Sequence, residues 1–483
     1  MGKKLFVFAL VAALLAGCTG ETDWASVPAV EIRLSDEGIL VDGRVASTNE
    51  SSAVYTANDI VYYEAGKDFT YGEGTEADAH TAREAAEHTV VHITKAGTYR
   101  LSGKLSKGQI AIDLGKKADD DPSAVVKLIL NGADITCTVA PAVIFYNVYE
   151  CGDKDNPKKD VDTSGAGANV ILADGTENNI SGSYVARIYK PDSVELNKDG
   201  TQVKDAKKLH KYDGAFYSKM SMNVGGSSEN SGVLTINAEN EGLDSELHLT
   251  INGGIIHINS GNDGINTNED GVSVTTISGG CVNILVTGET GEGDGIDSNG
   301  WLVIKGGTVY AAACGTSMDS GIDSDMGIHI TGGTVIATGS MLDRIEEGGP
   351  RYAVFSVNGK QSGKQTLAVK DENGKTVMEY CPQNDWQILV CSSADLGSNS
   401  TLWSGDTQLA TQGGMGFGGG MMPPGGFGGQ PPQGQPPQGQ PPQGQHPQGQ
   451  PPQGGRPEDF TMPEGMVPPQ GQPWGERPTP PAK

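Results

Sequence analysis

Between Gly242 and Gly333 the chain repeats one short phrase four times. The phrase is an acidic residue or Ser, then Gly, an aliphatic residue, Asp or Asn, and Ser or Thr. It occurs at Glu241–Ser245, Asp263–Thr267, Asp294–Ser298 and Ser320–Ser324. Each copy leads into a short apolar run ending in a Gly-Gly pair, at Gly253-Gly254, Gly279-Gly280, Gly306-Gly307 and Gly332-Gly333. The pairs recur every 26, 27 and 26 residues, and a fixed period in the twenties marks stacked repeats. There is no Leu-x-x-Leu-x-Leu-x-x-Asn frame and no period of nine, which excludes a leucine-rich repeat and the calcium nonapeptide roll. Apolar residues alternate on both sides of the pairs, as at Leu249 and Ile251, Ile256 and Ile258, Leu302 and Ile304, Val309 and Ala311. Period-two alternation of β-branched residues describes half-buried strands. Two or three such strands per turn bury nothing alone, whereas turns stacked about 4.8 Å apart share one core. The expected fold is all-β, a parallel β-helix (solenoid), with a bulge where Val272–Ile277 fits the alternation poorly.

Lys3 and Lys4 precede the apolar run Leu5–Leu15 and the ending Leu15-Ala-Gly-Cys18. The run is too short to span a bilayer and reads as a signal peptide. Its ending resembles the bacterial lipobox, which implies lipidation at Cys18 and a membrane-anchored lipoprotein, extracytoplasmic at the bacterial cell surface. The formal charge of −26 makes nucleic acid and anionic lipid poor partners and inorganic cations plausible ones. Six further cysteines allow three disulfides in an exported protein. Cys137 with Cys151 and Cys381 with Cys391 are the closest in sequence.

The expected organisation is a signal peptide (1–18), a tether (19–50), the repeat domain (51–340), a small C-terminal β domain capping the last rung (341–411), and a tail (412–483). Two insertions interrupt the repeat domain. Cys151–Gly165 lacks the Gly of an EF-hand loop, and Pro191–Asp213, with Lys198, Lys204, Lys207, Lys208 and Lys211, reads as a solvated loop. The tail carries pentads of the type Pro-Pro-Gln-Gly-Gln; it lacks the apolar residues to fold and is expected to be disordered.

Several stretches resemble a known family: Asp213-Gly-Ala-Phe-Tyr-Ser-Lys219, Leu247-His-Leu-Thr-Ile-Asn-Gly-Gly254, Asn262-Asp-Gly-Ile-Asn266 and Gly293-Asp-Gly-Ile-Asp-Ser298, with Val126–Ile135 and Ile171–Glu177 upstream. Together they resemble the calcium-binding, right-handed parallel β-helix family of carbohydrate-binding surface proteins found in clostridia. The resemblance covers roughly residues 55 to 340. It implies the right-handed fold of pectate-type polysaccharide lyases and binding of cellulose or polygalacturonate. The last turn departs from the pattern, with Ser320 in the acidic place and Asp319 displaced by one.

The turns themselves point to a cation. Stacking sets Asp244, Asp297 and Asp323 in one column, with Glu241, Asp263 and Asp294 beside it. Two like charges 4.8 Å apart cost about 3.5 kcal/mol at an effective dielectric near 20. Calcium removes that cost and tolerates irregular oxygen geometry. The expected ligands are Glu241, Asp244, Asp263, Asn266, Asp294, Asp297, Asp319 and Asp323. The competing reading is that Asp-Gly and Asn-Gly are simply good turn formers. Against catalysis, Val233–Asp343 holds fifteen Asp or Glu and a single basic residue of the Lys/Arg type, Lys305. Arg344 and Arg351 lie just beyond. Trp301 and Tyr310 fall on the outward phase and are candidate sugar platforms. The expected function is a surface-anchored, calcium-stabilised, monomeric binder of plant-type or acidic polysaccharide. A polysaccharide lyase or hydrolase, and an adhesin with a rigid stalk, are the alternatives.

Overall fold

The computed structural model describes residues 22–24, 26–346 and 351–413. The signal segment with Cys18 and the tail beyond 413 lie outside them, as does the second unit into which the chain divides, Gly420–Lys483.

Strands dominate, and the larger sheet is built around two long ones. Val126–Cys137 pairs with Ala168–Leu172 through its first half and with Glu177–Gly182 through its second. Leu249–Ser260 does the same with Met222–Gly226 and Val233–Ala238. The short strands then join each other, Ala168–Leu172 to Met222–Gly226 and Glu177–Gly182 to Val233–Ala238. These pairings are all parallel and return to their start. The centre is thus a closed six-strand parallel β-barrel with extra strands added, among them Gly97–Leu105 and Val274–Val286. This corrects the right-handed parallel β-helix (solenoid) expected from the repeat. The physical reason lies in the two long strands. They bend at Asn131-Gly132 and Gly253-Gly254 without breaking, so each offers two separate hydrogen-bonding stretches and the ladder closes. The period survives as register: Leu249 lies opposite Thr275, Cys281 opposite Thr308 and Thr308 opposite Thr334. The register irregularity falls at the glycine corner, Asn252–Ile255, and not in Val272–Ile277.

A second, eight-stranded sheet carries the repeated phrase. It runs parallel from Thr89–Ile93 through Gly108–Asp113, Val143–Asn147, Gly214–Ser218, Glu241–Ser245 and Ile265–Thr267 to Ile296–Ser298. Its aliphatic position is a ladder of Phe216, Leu243, Ile265 and Ile296, all without solvent exposure. Each such side chain contributes at most about 1.5–3 kcal/mol. The Ser/Thr position also faces inward and ties the corner: the Ser218 and Ser245 hydroxyls donate to the Met220 carbonyl at 2.6 and 3.1 Å. Thr267 and Ser298 bond each other at 2.8 Å.

The glycines answer two demands. In the phrase, a Cβ on Gly242, Gly264 or Gly295 would meet the carbonyl oxygen of the next strand at 2.4, 2.6 and 2.3 Å. In the Gly-Gly pairs, Gly254, Gly280, Gly307 and Gly333 have φ of +81°, +78°, +76° and +81°, the left-handed region that favours glycine.

Within the 19–50 segment expected as a tether, Val30–Leu34 instead joins the large sheet beside Gly97–Leu105, because Ile32 and Leu34 bury themselves in the core. At the other end, Trp386–Ser392 pairs antiparallel with Thr334–Gly339 and covers its edge. All six described cysteines are free thiols, so neither disulfide forms. Cys137 and Cys391 are instead buried as small apolar side chains.

Candidate functional site

The stacked phrase brings the predicted acids together. Register sets Tyr217, Asp244, Asn266 and Asp297 in one column. Asp323 continues it, since its amide donates to the Ile296 carbonyl at 2.7 Å. Beside this runs a second column. The Glu241 amide donates to the Asp213 carbonyl at 3.2 Å, and the Gly242 and Gly264 amides to the Asp263 and Asp294 carbonyls at 2.9 and 3.0 Å.

The eight residues do not share one role. Asp263, Asp294 and Asp319 bond backbone across rungs, accepting from the amides of Asp294 at 2.7 Å, Ser320 at 2.5 Å and Gly293 at 2.6 Å. Glu241, Asp244 and Asn266 are different. All three are buried, and each holds an oxygen, Oε2, Oδ2 and Oδ1 respectively, that meets no hydrogen-bond donor. Their other acceptor atoms are engaged: Asn266 donates to Glu241 at 3.0 Å and Asn268 to Asp244 at 2.6 Å. Arg187 pairs with neighbouring Asp213 at 2.9 Å.

Burial, followed by the neighbouring carboxylates, pushes Glu241 and Asp244 well above the usual carboxylate range. Burial also raises Asp263 to about 7, Asp294 to about 9, Asp297 to about 7 and Asp323 to about 6. A buried oxygen with no donor is costly, and three of them on adjacent rungs fit a hard cation. Among the described residues no group of three or more His, Cys, Asp or Glu converges as a metal cage. The place offers two acids and an amide oxygen, so carbonyl oxygens and water would complete the shell.

The other predicted residues lie apart. Lys305 reaches Asp160 at 3.5 Å, and Arg344 pairs with Glu346 at 2.9 Å. Trp301 is half-buried, paired with Val274 in the large sheet. Tyr310 stacks on Tyr380 with centroids 5.6 Å apart and so packs against the C-terminal strands.

A cleft that sequence reasoning missed opens beside the acidic columns. Its volume is about 560 Å³, and Tyr146, Glu150, Lys154, Lys208, His210, Lys211, Tyr212, Tyr217, Lys219 and Glu246 are among its lining. The strands Val143–Asn147 and Gly214–Ser218 supply its back. A ribbon in which Val185 bridges Tyr212 and Tyr189 bridges Lys208 supplies one wall. Four rings make a shelf: His210 stacks on Tyr212 at 4.3 Å, and Tyr212 meets Tyr146 and Tyr217 edge-on at 5.7 and 5.3 Å. Tyr217 donates to Glu246 at 2.8 Å.

Both ring nitrogens of His210 are buried without a partner, and burial lowers its pKa to about 4. The ring is therefore neutral at pH 7, offering one donor and one acceptor. Four lysines line this cleft in a strongly acidic chain; Lys208 pairs with Glu73 at 2.7 Å and Lys154 with Glu269 at 3.4 Å. Lys219 reaches Asn147 at 3.2 Å and Lys211 lies 3.9 Å from Glu246. Apolar ring faces with a few convergent polar groups describe a small-ligand site. The only trace in the sequence is the run His210-Lys211-Tyr212 next to Tyr217 and Lys219, aromatic and basic residues interleaved around one corner.

A family model described as carbohydrate-binding domain-containing protein matches residues 87–373, more than half of the 483 residues. No curated protein matches. Among solved structures, that of the polysaccharide lyase-like protein from C. thermocellum, as a gadolinium derivative, is similar at 20% identity and a TM-score of 0.36. The match covers 66% of this chain and 98% of that one.

Proposed function

Since the chain belongs to the carbohydrate-binding domain-containing family, we propose that it binds an acidic polysaccharide, of polygalacturonate or a related plant type, in the tyrosine and lysine cleft. The observation that carries this is the aromatic shelf, in which Tyr212 meets His210, Tyr146 and Tyr217 inside a cleft that lysines also line. The apolar face of a pyranose packs on the exposed part of the Tyr146 and Tyr212 rings. Carboxylates of a uronate are drawn to Lys211 and Lys219, both on the rim of the cleft. Nothing in this arrangement requires turnover, and no residue is assigned to catalysis.

In this reading calcium is the structural partner. Glu241, Asp244 and Asn266 would hold it through the oxygens that lack donors, and the ion would supply the positive charge that the stacked carboxylates need. The columns adjoin the cleft, since Tyr217 lines the cleft and stacks on Asp244 in the ladder. A lipid on Cys18 would carry the protein on the outer face of the cell. Fatty-acid labelling that persists in Cys18→Ala would remove this anchor from the proposal.

The test of the cleft is binding of polygalacturonate by calorimetry. His210→Ala and the pair Lys211→Ala, Lys219→Ala are each expected to weaken binding at least about tenfold, or ~1.4 kcal/mol. Trp301→Ala, at a residue outside the cleft lining, is expected to bind as the parent does. Unchanged affinity in both cleft variants, with their folding intact, would move the site elsewhere.

A further inference from the structure

We propose that the cleft is one half of a longer groove, in which a second bank of tyrosines binds the neighbouring sugars of the same polysaccharide chain; this rests on the function proposed above. Next to the cleft lies a second one of about 670 Å³, lined by Tyr62, Tyr71 and Tyr189 among others. Leu209 lines both and is 53% exposed. The two clefts therefore meet over this side chain, on the ribbon where Tyr189 bridges Lys208. The Tyr189 amide donates to the Tyr71 carbonyl at 2.9 Å and the Leu209 amide to the Ile188 carbonyl at 2.8 Å. These bonds fix the ribbon against both sides.

The second bank differs in chemistry from the first. Ile60 and Ile188 are buried beneath it. Its charges are already engaged: Lys67 pairs with Glu64 at 2.8 Å and sits over the Tyr71 ring at 5.2 Å. The Asp68 carboxylate accepts from the amide and hydroxyl of Thr70 at 2.9 and 2.6 Å. Among the described residues lining this bank no free cation is left to take a carboxylate, so it contributes ring faces and not charge pairing. The occupant that fits both banks is one polysaccharide chain, with carboxylates at the lysine end and the apolar faces of its sugars on the tyrosines. Continuity over Leu209 argues for one ligand spanning both clefts and not two separate ones. A chain that spans both gains from each without a second loss of free motion, so affinity should grow with length.

The experiment is calorimetry with a galacturonate trisaccharide and an octasaccharide. The parent protein is expected to bind the octasaccharide about tenfold tighter or more. Tyr62→Ala with Tyr189→Ala is expected to lose that gain and keep the trisaccharide affinity. Tyr62→Phe, which retains the ring, should keep the gain. Val61→Glu, at a position 41% exposed that lines only the second cleft, provides a variant whose folding is not at risk, and it should reduce octasaccharide binding selectively. An undiminished length gain in both Val61→Glu and the tyrosine pair would overturn this inference and leave the function standing. Failure of the parent to bind either oligosaccharide would overturn both.

Discussion

A Cβ placed at Gly307 would demand two things that the chain cannot give. The residue has φ of +76°, and the added atom would lie 2.7 Å from the Gly280 carbonyl oxygen on the neighbouring strand. Gly132 occupies the equivalent corner upstream with φ of +79°, but nothing lies within 4 Å of its Cβ position. The pair separates backbone strain from crowding. Gly132→Ala should cost about 1–2 kcal/mol, the ordinary penalty for a left-handed L-residue. Gly307→Ala should cost more, because two backbones must also move apart. Urea unfolding of the two variants checks this, and equal midpoint shifts would mean that the strands yield without cost. The same reasoning explains why the phrase keeps Gly at 242, 264 and 295, where φ is ordinary and crowding alone forbids a side chain, from the next carbonyl and from the side chains of Ile258, Ile284 and Ala311.

At the scale of elements, what was legible in the sequence was whatever repeats locally. The inward ladder of Leu243, Ile265 and Ile296 follows from a three-residue alternation, and the period of 26 or 27 reappears as strand register. Closure of the larger sheet was not legible. It depends on whether Val126–Cys137 and Leu249–Ser260 break at their glycines or bend through them, and a Gly in the sequence permits both. The acid columns were found, yet their division of labour was not. Asp263 and Glu241 occupy the same place in the phrase, but Asp263 takes a backbone amide from the next rung while Glu241 keeps an oxygen without a donor. The cleft escaped because its parts come from separate stretches, among them Tyr146 to Lys154, the ribbon ending at Tyr212, the strand with Tyr217, and Glu246. The lysines of Pro191–Asp213 read as a solvated loop because no local pattern says that the ribbon folds back through Val185 and Tyr189. The phase of its strand makes Tyr310 a candidate platform, but a strand's phase cannot say that Tyr380 will stack on it.

The whole molecule carries a formal charge of −26 and concentrates part of it in one stack, which ties stability to protons and to metal together. Burial and neighbouring carboxylates raise the pKa values of Asp323, Asp263, Asp297 and Asp294 to about 6, 7, 7 and 9 from the ordinary 3.8. Without a cation the folded state therefore binds more protons than the unfolded state across this range. Stability from these groups is fully present below about pH 4 and is lost as pH rises through the folded values, here from about 6 to 9. In chelator, the unfolding temperature should fall between pH 6 and pH 8. Added calcium should raise it more at pH 8 than at pH 6, because fewer protons compete with the ion there, by mass action on the native state. Asp294→Asn with Asp297→Asn removes two of these titrating carboxyls. That variant should melt above the parent in chelator at pH 8 and respond less to calcium, whereas Asp153→Asn with Asp155→Asn, in an exposed insertion, should change neither. Calcium and chelator leaving the melting temperature of the parent unchanged at pH 8 would reduce the columns to turn formers, because charges so crowded and buried cannot be indifferent to an ion bound among them.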